Sequence, residues 1–302
     1  MNPLHVSETM PATLLNVLSK SARRADLLAH VAGVGRELHG GLNNAVFVVE
    51  TFHQPVCLKL FAPERSAFGR HEFAVLQTLS LAGFRRAPEP FGLFESDDGS
   101  LVIVESFVKG SSLGNARLDH RQLVGLHEAL SELYALAPPL DAALDVTQGS
   151  PPGFLERLAA GISTAPLEPS VHRLWEAWFA SDQVDLLRRS PPDTVGRGDP
   201  NLANCLWDGN GIGFVDFEYG GWVNKVLELA NHLEHVQSLS TDEASWATFV
   251  DWWQLDQTDL ERFHAARVMY CFLWISTLAD HADRRELVRG RIDHLVSLLD
   301  HG

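Results

Sequence analysis

Lysine is scarce in this chain of 302 residues, occurring only at Lys20, Lys59, Lys109 and Lys225. Basic residues as a whole are outnumbered, 24 Lys and Arg against 39 Asp and Glu, for a formal net charge of −15. That balance argues against a nucleic-acid partner, because such binders need a basic face that displaces counterions from the phosphates. Cysteine is equally sparse: Cys57, Cys205 and Cys271 are odd in number, far apart and set in apolar stretches. Neither a disulfide framework nor a zinc site follows from that spacing, and they read as buried thiols. No apolar run approaches the about 20 residues that a membrane span needs. The opening M-N-P-L-H-V-S-E-T-M lacks the basic start, apolar middle and small-residue cleavage site of a secretory signal. The expectation is a cytoplasmic protein without a membrane partner.

What is present is ordinary globular composition, 45% hydrophobic and 21% charged. The length suffices for two lobes, since single cores rarely grow past about 250 residues. The acid is unevenly spread: residues 1–109 carry a net −1 and residues 110–302 a net −14.

Local patterns change at about the same place. The first part opens with Leu14, Leu15, Val17 and Leu18, then G-G-L-N-N at Gly40 to Asn44, then the strand-like A-V-F-V-V-E-T. A turn at His53 to Pro55 leads to V-C-L-K-L-F, whose alternation puts Val56, Leu58 and Leu60 on one face and Cys57, Lys59 and Phe61 on the other. A helix over 67–81 carries Glu72 among Phe73, Leu76 and Leu79, and a hairpin turns at Asp98-Gly99. After Gly110 the periodicity is helical: Leu123, Leu126, Leu130 and Leu133, a Pro- and Gly-rich loop over 138–153, then helices around 174–187, 228–236, 244–253 and 259–279. Strands followed by helices predict an α+β, bilobal arrangement divided near Lys109 into residues 1–109 and 110–302.

The one strand-like interruption of the helical part, residues 194–216, carries the chemistry. D-G-N-G at Asp208 to Gly211 is a turn signal between two apolar runs, so Asn204 and Asp216, each six residues from Asn210, lie opposite one another or one register step apart. With Asp199 in the loop just upstream, they form an oxygen-rich cluster suited to a hard cation such as Mg²⁺ together with phosphate.

R-G-D-P-N-L-A-N followed by V-D-F-E resembles the catalytic loop and metal-binding segment of the protein-kinase-like fold, in the form used by the aminoglycoside phosphotransferase and choline kinase family. G-G-L-N-N is similar to that family's phosphate-covering loop, L-K-L to its lysine strand and L-V-I-V-E-S-F-V-K-G to its hinge. The resemblance implies an antiparallel-sheet N-lobe, a mainly helical C-lobe, and transfer of the γ-phosphoryl group of ATP to a hydroxyl. It further implies Asp199 as the base, Asn204 and Asp216 as Mg²⁺ ligands, and Lys59 on the phosphates, held by Glu72. Gly40, Gly41, Asn43 and Asn44 would cover the phosphates, Ser106, Phe107 and Val108 would meet the adenine, and Leu206 would lie beneath it. The family's usual His before Gly-Asp is Arg197 here, and its Asp before the next helix is Asn224.

Plainer readings compete. Lys59 could be a snorkelling strand lysine, and Asp199, Asn204 and Asp216 could be turn and cap residues. The joint spacing favours the site. His232 and His235, three apart, read as solvated or capping histidines, and most of the eight tryptophans as core. A nucleotide-binding pseudokinase with a regulatory role is the competing functional class. The acid surplus of residues 110–302 points to a cationic acceptor, aminoglycoside- or choline-like, faced by Glu218 and by Asp251 beside Trp252.

Overall fold

The computed structural model describes residues 2–7, 14–15, 18, 23–32, 35–38, 44–51, 54–136 and 151–300. Gly40, Gly41 and Asn43, His53 of the first turn, and the greater part of the expected loop over 138–153 lie outside the described residues.

The first part is a six-stranded antiparallel sheet: β1 (Asn2–Val6), β2 (Gly35–Leu38), β3 (Ala45–Val49), β4 (Val56–Phe61), β5 (Pro90–Glu95) and β6 (Leu101–Ser106), in the order β1-β5-β6-β4-β3-β2. Alternation along β4 divides the two faces as the sequence requires. Val56, Leu58 and Leu60 join one core with Leu14, Leu18, and with Leu27 and Val31 of helix α1 (Arg24–Ala32). Phe61 joins a second with Phe73 of helix α2 (Ser66–Leu81), Leu101 and Ile103. Lys59 lies on the α2 side. The next turn of α2, Val75, Leu76 and Leu79, packs instead into the large core of the second part, so this one helix belongs to both.

The second part is built from α3 (His120–Tyr134), α4 (Pro151–Thr164), α5 (Pro169–Phe179), α6 (Asp182–Arg188), α7 (Lys225–Glu234), α8 (Glu243–Asp251), α9 (Gln257–Ala279) and α10 (Arg285–Asp300). Helix α3 buries the leucines its periodicity marks and starts at a reciprocal cap between Asp119 and Gln122. Side-chain oxygens of Asn224, Asp242 and Asp256 cap α7, α8 and α9. Helix α9 packs against α7 and α10. Among the described residues no helix is long and apolar enough to cross a membrane.

Departures from the sequence reading have physical causes. The helix expected over 174–187 is two, because Ser181 is extended, with φ −91° and ψ 163°. Helix α4 begins at Pro151-Pro152, residues read as loop; proline is tolerated in a first helical turn, where its missing N–H has no partner to lose. Helix α10, also missed, mixes charged and apolar residues and buries only Arg291, Leu295 and Leu298.

Two small ribbons interrupt the helices. Strands β7 (Ser111–Ser112), β9 (Cys205–Trp207) and β10 (Ile212–Phe214) form one, and β8 (Thr194–Gly196) pairs with β11 (Gly221–Val223) in the other.

Candidate active site

The turn joining β9 to β10 is closed by Asp208, whose Oδ1 accepts the N–H groups of Asn210 at 2.8 Å and Gly211 at 2.9 Å. Phe214 then pairs with Cys205, and Val215 N–H donates to the Asn204 carbonyl at 3.0 Å. Asp216 stands one step further, in the left-handed region with φ 65°, a conformation aspartate tolerates better than most side chains. That brings its Oδ2 to 3.1 Å from Asn204 Nδ2.

Its other oxygen meets the first part of the chain. Lys59 Nζ donates to Asp216 Oδ1 and to both oxygens of Glu72, at 2.9 and 2.6 Å. Glu72 Oε1 also accepts Phe217 N–H at 3.1 Å. One strand, one helix and one hairpin are thus tied together by a single ammonium. A carboxylate that the sequence reading passed over, Glu105 on β6, is buried beside them; it stands opposite Cys57, two residues from Lys59. Burial pushes Glu105 up to about 8, and the charge of Glu72 adds to that while Lys59 opposes it. Burial likewise raises Glu72 to about 7, against the charge of Lys59. Burial alone would lower Lys59; the carboxylates of Glu72, Asp216 and Glu105 outweigh it and hold the ammonium above its ordinary value.

Three carboxylates share one lysine, a surplus of negative charge that suits a hard divalent cation. Glu72, Asp216 and Glu218 each offer a carboxylate oxygen within 4.8 Å of the others, so the donor chemistry fits Mg²⁺. Glu218 is buried against Arg65 Nη2 at 2.6 Å and Asn44 Nδ2 at 3.3 Å. It therefore links the end of G-G-L-N-N to the metal-type cluster; the sequence places it toward the acceptor, and it is not among the residues that line the cavity at Asp199.

The loop bearing Asp199 is fixed from behind by Glu228 of α7, whose Oε1 accepts the N–H of Arg197 at 2.6 Å and of Gly198 at 3.1 Å. Glycine is required here: Gly198 has φ 68°, and a Cβ would lie 1.9 Å from the Tyr219 carbonyl oxygen. Asp199 Oδ1 accepts Asn201 N–H at 3.2 Å and faces His235 Nε2 at 3.5 Å. Since His235 Nδ1 accepts Gln237 N–H at 3.1 Å, Nε2 carries the ring proton. Burial would raise the Asp199 carboxyl, but His235, the charge of Arg197 and the Asn201 N–H together hold it below its ordinary value.

Arg197 is wholly buried, with Nη1 3.1 Å from Cys205 Sγ and its guanidinium 4.8 Å from the centre of the Phe214 ring. His232, also wholly buried, is pushed well below its ordinary value by burial first and then by the charges of Arg197 and His235. The expectation of solvated histidines is thus corrected, although His235 does cap the short turn that follows it.

Asp199 opens onto a cavity of about 600 Å³ walled by Phe154, Tyr219, Trp222, Tyr270 and Trp274. Among the described residues its only carboxylates are Asp199 and Glu228, so the acid surplus of the second part does not converge here. Asp251 and Trp252 lie elsewhere. Asp251 lines a separate cavity between α8, α9 and α10, and the Trp252 ring packs 5.7 Å from His120 and 5.6 Å from His127. At the hinge, Ser106 N–H is taken by the Glu89 carbonyl at 2.9 Å. Val108 occupies the space left by Gly213, which pairs with Leu206.

The sheet, the helical lobe and the lysine–carboxylate–hairpin arrangement between them define a protein-kinase-like fold. The chain belongs to the phosphotransferase enzyme family, whose APH model matches residues 34–265. Its fold is similar to that of aminoglycoside phosphotransferase APH(4)-Ia (TM-score 0.64, 15% identity, 90% of this chain and 96% of that one). It is also similar to APH(2")-IIia in a GDP and kanamycin complex (0.68, 14%, 96% and 97%), and to choline kinase LicA from Streptococcus pneumoniae (0.63, 14%, 91% and 98%). No curated protein matches the sequence.

Proposed function

We propose that the protein is an ATP- and Mg²⁺-dependent kinase that moves the γ-phosphoryl group onto a hydroxyl of a small molecule, with the nucleotide between residues 1–109 and 110–302. The observation that carries this reading is the continuous line from Glu72 through Lys59 and Asp216 to Asn204, with Asp199 at the cavity beyond. Phosphoryl transfer needs little covalent help from the protein; positioning and charge neutralisation supply most of the rate. Mg²⁺, when bound, would offset the charge of the phosphates, and Asp216, Asn204 and Glu218 are the residues that would hold it.

Lys59, kept ionised by its three carboxylates, would bind the α- and β-phosphates. Asn44 would close over the phosphates together with Gly40, Gly41 and Asn43, and the backbone of Phe107 and Val108 would meet the adenine above Leu206. The Asp199 carboxylate, ionised at neutral pH, would accept the hydrogen of the attacking hydroxyl and aim its lone pair at the phosphorus. Solved neighbours in complex with GDP and kanamycin, or with AMP-PNP and hygromycin B, are consistent with this class of reaction. The three buried free cysteines suit a reducing compartment, the cytoplasm, where ATP and Mg²⁺ are at hand.

The test is ADP release by the purified protein with Mg-ATP across a panel of hydroxyl compounds, with Asp199→Ala as control. Acceptor-dependent release that this variant abolishes, with its fold intact by circular dichroism, is the expected result. Mg-ATP binding without transfer to any acceptor would return the pseudokinase reading.

A further inference from the structure

Resting on the phosphotransfer reading, we infer that the acceptor is a neutral, polyhydroxylated ring compound of the sugar or glycoside class, not an oligo-ammonium compound and not a quaternary amine. Three features of the cavity at Asp199 carry this.

The first is charge. A primary ammonium group taken into a cavity needs a carboxylate partner, because burying it unpaired costs several kcal/mol; a quaternary one can be met by aromatic faces instead, so its exclusion rests on the hydrogen bonds that follow. Asp199 is committed to the reacting hydroxyl. Glu228, although in the wall, is engaged on the protein side: its Oε1 holds two backbone N–H groups, and its Oε2 is buried against Gly196 and toward the Tyr134 hydroxyl. No carboxylate remains for a second or third ammonium among the described lining residues; the exposed Arg284 that also lines it is paired with Asp283 at 3.9 Å.

The second is the demand for hydrogen bonds. Asn231 is 7% exposed and lines the cavity, yet its Oδ1 has no partner; Trp274 also lines it and its Nε1 has none. An orphaned acceptor and an orphaned donor in one wall call for a ligand that supplies both, as hydroxyl groups do. A trimethylammonium head supplies neither.

The third is shape. Trp222, Trp274, Tyr219 and Tyr270 present half-buried rings to the cavity. Rings with a polar handle beside amide side chains complement the alternating C–H faces and O–H edges of a sugar. The volume of about 600 Å³ admits a mono- or disaccharide with a small aglycone.

In the reaction the acceptor oxygen forms a bond to the γ-phosphorus as the bond from that phosphorus to the β,γ-bridging oxygen breaks. The hydroxyl proton passes to Asp199, and ADP leaves.

The experiment sets methyl and phenyl glucosides, galactosides and ribosides against kanamycin and choline, reading tryptophan fluorescence for binding and ADP release for turnover. Expected are saturable quenching and at least tenfold stimulation of ADP release by one or more neutral glycosides, with neither from the two cationic compounds. Trp274→Phe and Asn231→Ala should each raise the KM for that glycoside about tenfold and leave the Mg-ATP dissociation constant unchanged. Preferential turnover of kanamycin or choline would keep the phosphotransfer reading and overturn this one, as would failure of every neutral glycoside to bind. Loss of Mg-ATP binding, or no ADP release with any compound, would instead sink the phosphotransfer reading.

Discussion

Glu228 and Arg197 are joined through the backbone: the carboxylate Oε1 lies 2.6 Å from the Arg197 nitrogen, two residues ahead of Asp199. The same oxygen holds Gly198 N–H, so the loop that presents Asp199 is anchored to α7 by one side chain. Glu228→Ala strands two buried donors and removes a carboxylate that feels the charge of the buried Arg197, at a cost of about 3–5 kcal/mol. Glu228→Gln keeps an acceptor for both N–H groups and loses only the charge. Urea unfolding should rank the variants wild type, Gln, Ala, and kcat should follow that order while the KM for Mg-ATP stays constant. Equal loss in both variants would show that charge, not loop anchoring, is the contribution of Glu228.

Asp199 is held below its ordinary value by His235, Arg197 and the Asn201 N–H acting against burial. As a depressed carboxyl, it stays ionised until the pH falls beneath the usual carboxylate range, so the acid limb of kcat/KM assigned to it should lie below that range. His235→Ala removes the largest of the opposing influences and should move this limb upward. Asp199→Asn should reduce kcat by about 10²–10⁴-fold at all pH values. An acid limb unchanged in His235→Ala would show that Asp199 does not set it.

Much of this site was legible because its geometry follows from local rules. A turn centred on Gly209-Asn210 fixes Asn204 opposite Val215, and the period-two alternation of β4 fixes the face of Lys59. Glu105, His235 and Glu228 were harder to see. Each acts through a contact with a residue distant in sequence, and each sits in a run whose apolar neighbours already explain its element. The acceptor expectations rest on weaker signals: net charge is a property of the whole surface, and Asp251 and Trp252 are grouped only by proximity in sequence. Helix α8 places both away from the wall of the Asp199 cavity.

Among the described residues Lys59 is the lone ammonium beside Glu72, Asp216 and Glu105. Lys59→Ala leaves those carboxylates facing one another, and the protein should relieve the repulsion by taking up protons near neutral pH. Mg-ATP affinity should fall at least tenfold. The fold should be less stable than wild type at pH 8 and recover part of the difference at pH 6, since protonation of Glu72 and Glu105 removes the repulsion. A stability difference that does not change with pH would mean that the carboxylates are not coupled through Lys59.

One residue before His235, Glu234 is buried between Arg267 Nε at 2.6 Å and Arg291 Nη2 at 2.5 Å, with His294 Nε2 at 3.2 Å. Burial would raise its carboxyl, but these partners lower it from 4.5 to about 2. A depressed carboxyl contributes stability that is fully present above its unfolded value and is lost as pH falls through the folded one. Glu234 should therefore contribute on the order of 3 kcal/mol above pH 5, declining steadily toward pH 2. Glu234→Gln should unfold more readily at pH 7 and show a shallower loss of stability between pH 5 and pH 2. Parallel acid-unfolding curves for the two proteins would place the pH dependence elsewhere.

The last prediction separates the charge of the lobe from the charge of the cavity. Residues 110–302 carry a net −14, a field that would draw a polycation in and be screened over about 8 Å at physiological ionic strength. If the acceptor is neutral, that field does no work on it, and its KM should change less than about twofold between 10 mM and 150 mM NaCl. Mg-ATP, itself charged and on the proposed function bound among Lys59, Asp216 and Glu218, serves as the internal control, because its KM should respond to the same change in salt. A KM for the acceptor that climbs several-fold over this range, more steeply than that for Mg-ATP, would show that the acid of the second lobe steers a cation after all.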